Sequence, residues 1–375
     1  MKRVLLLSTT TGYQLRAFDS AAERLGIELV FATDRCNQLE DPWRDRAIPV
    51  RFHHEWRSLD AIVTEAKRTP FDGVIAVGDR PALLAARVTE RLNLPGNPPD
   101  AAAASGNKRE TRARLAVARL PGPWFFTIGL RDDARAATEH GRLRFPCVLK
   151  PLGLSGSRGV IRADTPDEFV GAFDRIRALL SRLDVRASRT GLEDVVLVEG
   201  FIPGREFAVE GVLTNGALQV FAIFDKPDPL DGPFFEETIY VTPSSLGPLS
   251  QVTLIAAIQE ACDALGLYHG PIHAECRVGP DGIFVLEVAA RPIGGLCSRV
   301  LTFDDRSSLE EVLLRHTVGR AEAQAYFQVF LVRYPCVLHE ELAGHAQMRH
   351  KRHGGHGGFG CAGLGISRFS FRGGV

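Results

Sequence analysis

The chain has 375 residues, 45% hydrophobic and 24% charged, which is a globular composition with enough length to bury more than one core. Lys+Arg and Asp+Glu both number 45, so the zero net charge excludes whole-chain electrostatic binding to nucleic acid or an anionic membrane. No apolar run approaches the ~18 residues of a transmembrane helix, residues 4–7 are too short for a secretory signal core, and seven scattered cysteines without a C-x-x-C pair predict a reduced, cytoplasmic protein.

The first hundred residues alternate strand and helix patterns. Strands are predicted at 4–7, 27–32, 48–52 and 71–77, and helices at 14–25, 58–68 and 81–92. This rhythm predicts an open parallel sheet with helices on both faces, a Rossmann-like first domain over 1–100. Residues 101–145 read as a helical linking segment around a short strand at 124–128. From there the pattern changes to closely spaced strands at 146–150, 159–163, 194–199, 205–213 and 217–224, interrupted by helices near 165–180 and 250–266. The fold class is therefore α/β followed by α+β, the second module spanning 146–320. Residues 321–375 form an atypical His- and Gly-rich tail, read as a disordered extension, a truncation product or a shifted reading frame.

A hairpin near Asp281 carries the strongest chemical signal. Residues 272–278 and 283–289 are strand-like and flank the turn cluster Gly279-Pro280-Asp281-Gly282. With side chains alternating between faces, Ile272, Ala274, Cys276, Val278, Phe284, Leu286 and Val288 are expected on the core side. His273, Glu275, Arg277, Val285, Glu287 and Arg291 take the other side. Symmetry about Asp281 sets Glu275 opposite Glu287, with Cβ atoms ~5 Å apart. Two like charges in that position need a cation: either Mg²⁺, which suits one or two carboxylates plus phosphates, or a neighbour such as Arg277, Arg291 or His273.

Three weaker signals precede it. Lys150 ends an apolar strand and is followed by Gly153-Leu154-Ser155-Gly156-Ser157-Arg158-Gly159, a loop whose backbone N–H groups can approach phosphates. The run Glu199-Gly200-Phe201-Ile202 can offer backbone groups to an adenine edge, and Glu206 follows seven residues after Glu199. Lys108 opens an Arg-rich helical stretch.

In this order, Lys108, Lys150 with its glycine loop, Glu199 with Glu206, and Glu275 with Glu287 and Arg291 resemble the ATP-grasp superfamily, in its carboxylate–amine ligase branch. The stretch 286–295 looks most like ligases that join L-amino acids into dipeptides. The resemblance implies two lobes gripping ATP between antiparallel sheets. It assigns ATP binding to Lys108, Lys150, Gly153, Ser155, Gly156, Ser157, Glu199, Gly200, Phe201, Ile202 and Glu206, with Glu199 at the adenine and Glu206 at the ribose. It assigns Mg²⁺, with Mn²⁺ as an alternative ion, to Glu275 and Glu287. Arg291 and Lys150 would be catalytic, Arg291 by stabilising the transferred phosphoryl group. Ala289 departs from the family, which often has Asn there, and this puts a second metal ion in question.

The implied reaction activates a carboxylate as an acyl phosphate and transfers it to an amine. Small-molecule substrates, amino acids above all, would meet His273, Glu236, Glu237, Arg291, Gly294 and Gly295. Two other readings fit the same nucleotide site: a carboxylase-like or purine-pathway ligase, and a non-catalytic ATP-binding protein. Assembly as a homodimer is compatible with the sequence.

Overall fold

The computed structural model describes residues 1–9, 14–34, 47–139, 141–187, 190–235, 239–303 and 306–319, with two further strands at Ala325–Tyr326 and Phe330–Arg333. The N-terminal domain contains β1 (Lys2–Ser8), α1 (Leu15–Leu25), β2 (Ile27–Thr33), β3 (Ile48–Pro49), α2 (Glu55–Arg68), β4 (Gly73–Val77) and α3 (Asp79–Leu92). Its sheet is parallel, as the sequence predicts, and the strand order is β3-β2-β1-β4. The uninterrupted apolar run in β1 follows from burial on both faces. Val4 and Leu6 pack on the side of Phe18 and Ala22, while Leu5 and Leu7 pack on the side of Ile62 and Leu84.

Helices α4 (Pro99–Ser105) and α5 (Lys108–Val117) lead out of this domain. Asn107 caps α5, its side chain accepting from the Arg109 and Glu110 N–H groups. Next come β5 (Phe125–Gly129), α6 (Ala134–Glu139), β6 (Cys147–Pro151), β7 (Ile161–Ala163), α7 (Pro166–Leu180), α8 (Leu183–Arg186) and β8 (Val195–Gly200). They make a small antiparallel sheet of order β5-β8-β6-β7. Cys147, Leu149, Val196 and Val198 of this sheet pack against Phe169, Phe173 and Ile176 of α7. The small lobe thus recruits β5 from the 101–145 segment, because Phe125–Gly129 pairs along β8 rather than forming part of a linker.

The large sheet holds β9 (Arg205–Thr214), β10 (Ala217–Lys226), β11 (Ile239–Thr242), β12 (Gly270–Gly279) and β13 (Gly282–Ala289), with α9 (Pro248–Leu265) between β11 and β12. Its order is β13-β12-β9-β10-β11, and one face is sealed by Leu254, Ile258, Cys262 and Leu265 of α9. The other face meets the N-terminal domain through Ala208, Val212 and Phe224. The short crossing 201–204 between β8 and β9 joins the two antiparallel sheets.

The C-terminal part departs from the sequence expectation. After β14 (Thr302–Phe303), helix α10 (Leu309–Thr317) leaves the second module and packs beside α1 on the N-terminal sheet, with Arg24 Nε 3.0 Å from Glu311 Oε1. A capping box joining Ser308 and Glu311 starts this helix. The tail is not wholly unstructured: β15 (Ala325–Tyr326) pairs with β14, and β16 (Phe330–Arg333) adds to the edge of β11. The His/Gly-rich residues from 334 onward lie outside the described residues.

Candidate active site between the two antiparallel sheets

Glu275 on β12 and Glu287 on β13 are direct cross-strand partners, as hairpin symmetry requires. The symmetry then breaks. A register shift after Glu275 pairs Cys276 with Val285, leaving Leu286 as the extra residue of a bulge. Val285 consequently joins the core with Val288, against expectation, and Phe284 and Leu286 lose their predicted core places. At the turn Gly279 pairs with Gly282, one residue off symmetry about Asp281, and the bulge makes up that residue, so it flips the alternation of one strand and brings the Glu pair into register.

Of the predicted neighbours only His273 comes within ion-pair distance of this pair, and two lysines outside that set join it. Lys226 Nζ lies 2.9 Å from Glu275 Oε1, and Lys108 Nζ lies 3.4 Å from Glu287 Oε2. Arg277 instead binds Glu206 at 3.0 Å and donates to the carbonyls of Ile202 and Leu230. Arg291 turns to the N-terminal domain and binds Asp79 at 2.7 Å. His273 is buried between two carboxylates, Nε2 3.7 Å from Glu275 and Nδ1 3.4 Å from Glu210. The Nδ1 contact is electrostatic, because its geometry makes no hydrogen bond.

Across the cleft, Lys150 on β6 pairs with Glu199 on β8 at 2.6 Å, and Arg112 of α5 binds the same carboxylate at 2.7 Å. Burial would push Glu199 up, but Arg112 and Lys150 outweigh it and hold the carboxyl at about 2. Glu206, the predicted ribose contact, is buried and bound to Lys226 at 2.9 Å as well as to Arg277. In the predicted adenine segment the Gly200 N–H donates to Trp124 O at 3.0 Å and the Phe201 N–H to Pro146 O at 3.1 Å. The Phe201 ring lies under two guanidinium groups, Arg162 at 4.2 Å and Arg277 at 5.1 Å.

The glycine loop after Lys150 is drawn against α5. Lys108 donates from Nζ to Leu154 O at 2.7 Å, and its backbone N–H reaches Leu152 O. Gly156, Ser157 and Gly159 all have positive φ, which gives the loop its tight reversal. Gly153 and Ser155 lie in the same reversal. The segment after β13 is held from three directions. Asp79 holds Arg291, Glu210 accepts the Ile293 N–H on both oxygens at 3.0 Å, and Gln14 donates to Ile293 O at 2.6 Å. Gly294 and Gly295 follow directly in this clamped segment. Glu236 and Glu237 lie outside the described residues; nearby Phe235 is buried with Val148 and Leu230, and Phe234 is exposed.

Charge couples these groups. Burial favours neutral Glu275, yet Lys226 and His273 overcome that and hold its carboxyl well below the usual range. Burial alone would lower His273, but its carboxylate neighbours Glu210 and Glu275 push it up to about 9. Burial dominates at Glu210 and raises it. Arg291 is pushed up by Asp79 against the opposing effect of burial, and Asp79 is lowered in return.

Sequence reading missed Lys226, Arg112, Asp79 and Glu210. Two of them had a readable signal: Arg112 follows Lys108 by one helical turn, and Lys226 ends a strand pointing at the acidic loop. Asp79 and Glu210 enter only through tertiary packing.

The donor set suits a hard divalent cation. Glu275 and Glu287 supply facing carboxylate oxygens, their side chains are 20% and 24% exposed, and each already attracts an ammonium group. Ala289, opposite His273, adds no donor, and the described residues contain no cluster of three or more His, Cys, Asp or Glu side chains arranged for a metal. Such a pair fits Mg²⁺ completed by phosphate oxygens and water.

Comparison with known proteins identifies the family and the fold. Residues 143–300 match the ATP-grasp domain and residues 18–96 the ATP-grasp N-terminal domain. The chain belongs to the ATP-grasp superfamily and has its fold. The ATP-grasp enzyme fsqD of Aspergillus fumigatus is 28% identical over 70% of this chain and 46% of its own length. Carnosine synthase 1 of Gallus gallus is 30% identical over 66% of this chain and 27% of its own. The crystal structure of an L-amino acid ligase from Bacillus licheniformis superposes with a TM-score of 0.68 at 26% identity, over 86% of this chain and 75% of that one. The chain therefore spans less than half the length of these two curated relatives. Among the described residues no helix is long and apolar enough to cross a membrane.

Proposed function

We propose that this protein is an ATP-dependent carboxylate–amine ligase that joins amino acids or closely related small molecules. One observation carries the reading: Glu275 and Glu287 face each other in register, flanked by Lys108 and Lys226, and Arg112 ties their hairpin to Glu199, the partner of Lys150 on the other antiparallel sheet. Similarity to an L-amino acid ligase and to carnosine synthase supports amino acids as the substrate class.

A carboxylate resists amine attack because its leaving group would be oxide. In the proposed reaction a substrate carboxylate oxygen attacks the γ-phosphorus of ATP, and ADP leaves. The amine nitrogen then attacks the acyl carbon of the acyl phosphate, inorganic phosphate leaves, and the nitrogen loses a proton. A Mg²⁺ ion held by Glu275 and Glu287 would supply charge neutralisation at the phosphates. Lys108, Lys150 and Lys226 orient and neutralise the triphosphate, the 153–159 loop covers it against water, and Arg291 faces the transferred phosphoryl group. Glu236 and Glu237 receive a substrate ammonium, and His273 with Gly294 and Gly295 borders the acyl acceptor. Glu199 and Glu206 act here chiefly by fixing Lys150 and Lys226, while 200–202 forms the adenine wall.

The test is mass spectrometry of products from ATP, Mg²⁺ and a pool of amino acids, with ADP and phosphate measured in parallel. The expected result is an amide product matched by equal ADP and phosphate. ATP binding with no phosphate release on any amino-acid pair would contradict the ligase reading and favour a non-catalytic nucleotide binder. Phosphate release that depends on bicarbonate would favour the carboxylase-like alternative.

A further inference from the structure

Lys108 and Arg112 are four residues apart on α5, so both side chains leave the same face of the helix. Lys108 reaches the glycine loop and Glu287. Arg112 goes deeper and is only 4% exposed. Its Nε donates to Glu199 Oε2 at 2.7 Å and its Nη2 to Oε1 at 3.2 Å, a forked contact on one carboxylate. Its Nη1 donates to Leu286 O at 2.9 Å and Val285 O at 3.3 Å. Those two carbonyls belong to the bulge immediately before Glu287.

One planar group therefore touches both sides of the cleft. On the small lobe it holds Glu199, whose other cation is Lys150 at 2.6 Å. On the large sheet it holds the backbone that sets the direction of Glu287. A lysine at this position would keep the charge but lose the fork, since a single ammonium cannot serve the carboxylate and the two carbonyls with the same geometry. A buried ion pair gives little net stability over apolar packing, so the main consequence of this arrangement is geometric.

We propose that Arg112 is a positioning residue that fixes Lys150 and Glu287 relative to each other across the nucleotide cleft. The inference rests on the ligase reading above. Without the fork, Lys150 shifts further onto Glu199, and the bulge carbonyls lose the donor that orients the strand carrying Glu287. Phosphate contact and metal affinity then weaken together, although Arg112 touches neither.

The experiment compares the full-length wild type with Arg112→Lys and Arg112→Met. ATP binding is measured by calorimetry with Mg²⁺ present, the Mg²⁺ half-saturation of phosphate release is measured separately, and folding is followed by circular dichroism. Arg112→Lys is expected to fold, to bind ATP about 10-fold more weakly and to need about 10-fold more Mg²⁺, the size of effect typical of groups that orient metal ligands. Arg112→Met is expected to show the same two losses, more strongly, or to fail to fold, in which case Arg112→Lys decides. A folded Arg112→Lys with wild-type ATP affinity and Mg²⁺ dependence would overturn the inference and leave Arg112 with a packing role. A wild type that neither binds ATP nor releases phosphate would overturn the ligase reading, and this inference with it.

Discussion

Arg291, two residues beyond β13, is held by Asp79 at the start of α3, 212 positions earlier in the chain, with Nε 2.7 Å from Oδ1 and Nη2 3.4 Å from Oδ2. The N-terminal domain thus reaches into the cleft and sets the direction of a guanidinium assigned to the phosphoryl group. Gly78, with φ 97, turns the chain out of β4 to present Asp79 there.

Replacing Asp79 with Asn should leave the parallel sheet intact but free Arg291. Misplacing a group at the reacting centre by about 1 Å can cost ~100-fold, so a fall in kcat of about 10- to 100-fold is expected, with a smaller change in KM for ATP. Steady-state kinetics of Asp79→Asn checks this. An unchanged kcat would mean that Arg291 needs no help from the N-terminal domain.

Gly200 closes β8 directly beneath Trp124. A Cβ there would stand 2.8 Å from the indole nitrogen, closer than side chains pack. Overpacking of this kind typically costs about 1–3 kcal/mol. Gly200→Ala should therefore lower the denaturation midpoint and weaken ATP binding, because the displaced backbone is the proposed adenine wall. Chemical denaturation with a nucleotide titration measures both; a variant as stable as wild type would show that Trp124 has room to move.

The acid limb of stability should carry the signature of Glu199. Its carboxyl is held at about 2 in the fold against 4.5 as the reference value. A depressed folded value means that the stabilisation is fully present above about pH 4.5 and is lost as pH falls through about 2. Glu199→Gln should be less stable than the wild type at neutral pH, since it leaves Arg112 and Lys150 without their carboxylate. It should also lose less further stability on acidification across that window than the wild type does. Denaturation midpoints at a series of acidic pH values test the slope, and parallel curves for the two proteins would contradict the assignment.

Much of this architecture was legible because it is local. The run at residues 4–7 marked a strand buried on both faces, and the apolar alternation flanking Asp281 put Glu275 opposite Glu287. Its limits were physical too. One extra residue at Leu286 sent Val285 into the core, and no alternation rule announces a bulge. The neutralising cations were only partly readable for a related reason: of the neighbours in sequence, His273 lies beside Glu275 but Arg277 and Arg291 turn elsewhere, whereas Lys226 and Lys108 arrive from β10 and α5. Helix α10 was unreadable as part of the N-terminal domain because its apolar stripe, Leu309, Val312 and Leu313, says only that it packs, not against what.

The central claim is that Glu275 and Glu287 hold a divalent cation against the phosphates of ATP, and turnover of Glu287→Ala tests it most directly. Glu287 is partly exposed at the cleft, so its removal should leave the circular dichroism spectrum and thermal midpoint close to wild type. ADP formation from ATP, Mg²⁺ and amino acids should fall by about 100-fold or more, in line with loss of a principal electrostatic contributor. A folded Glu287→Ala protein turning over at the wild-type rate would contradict the account.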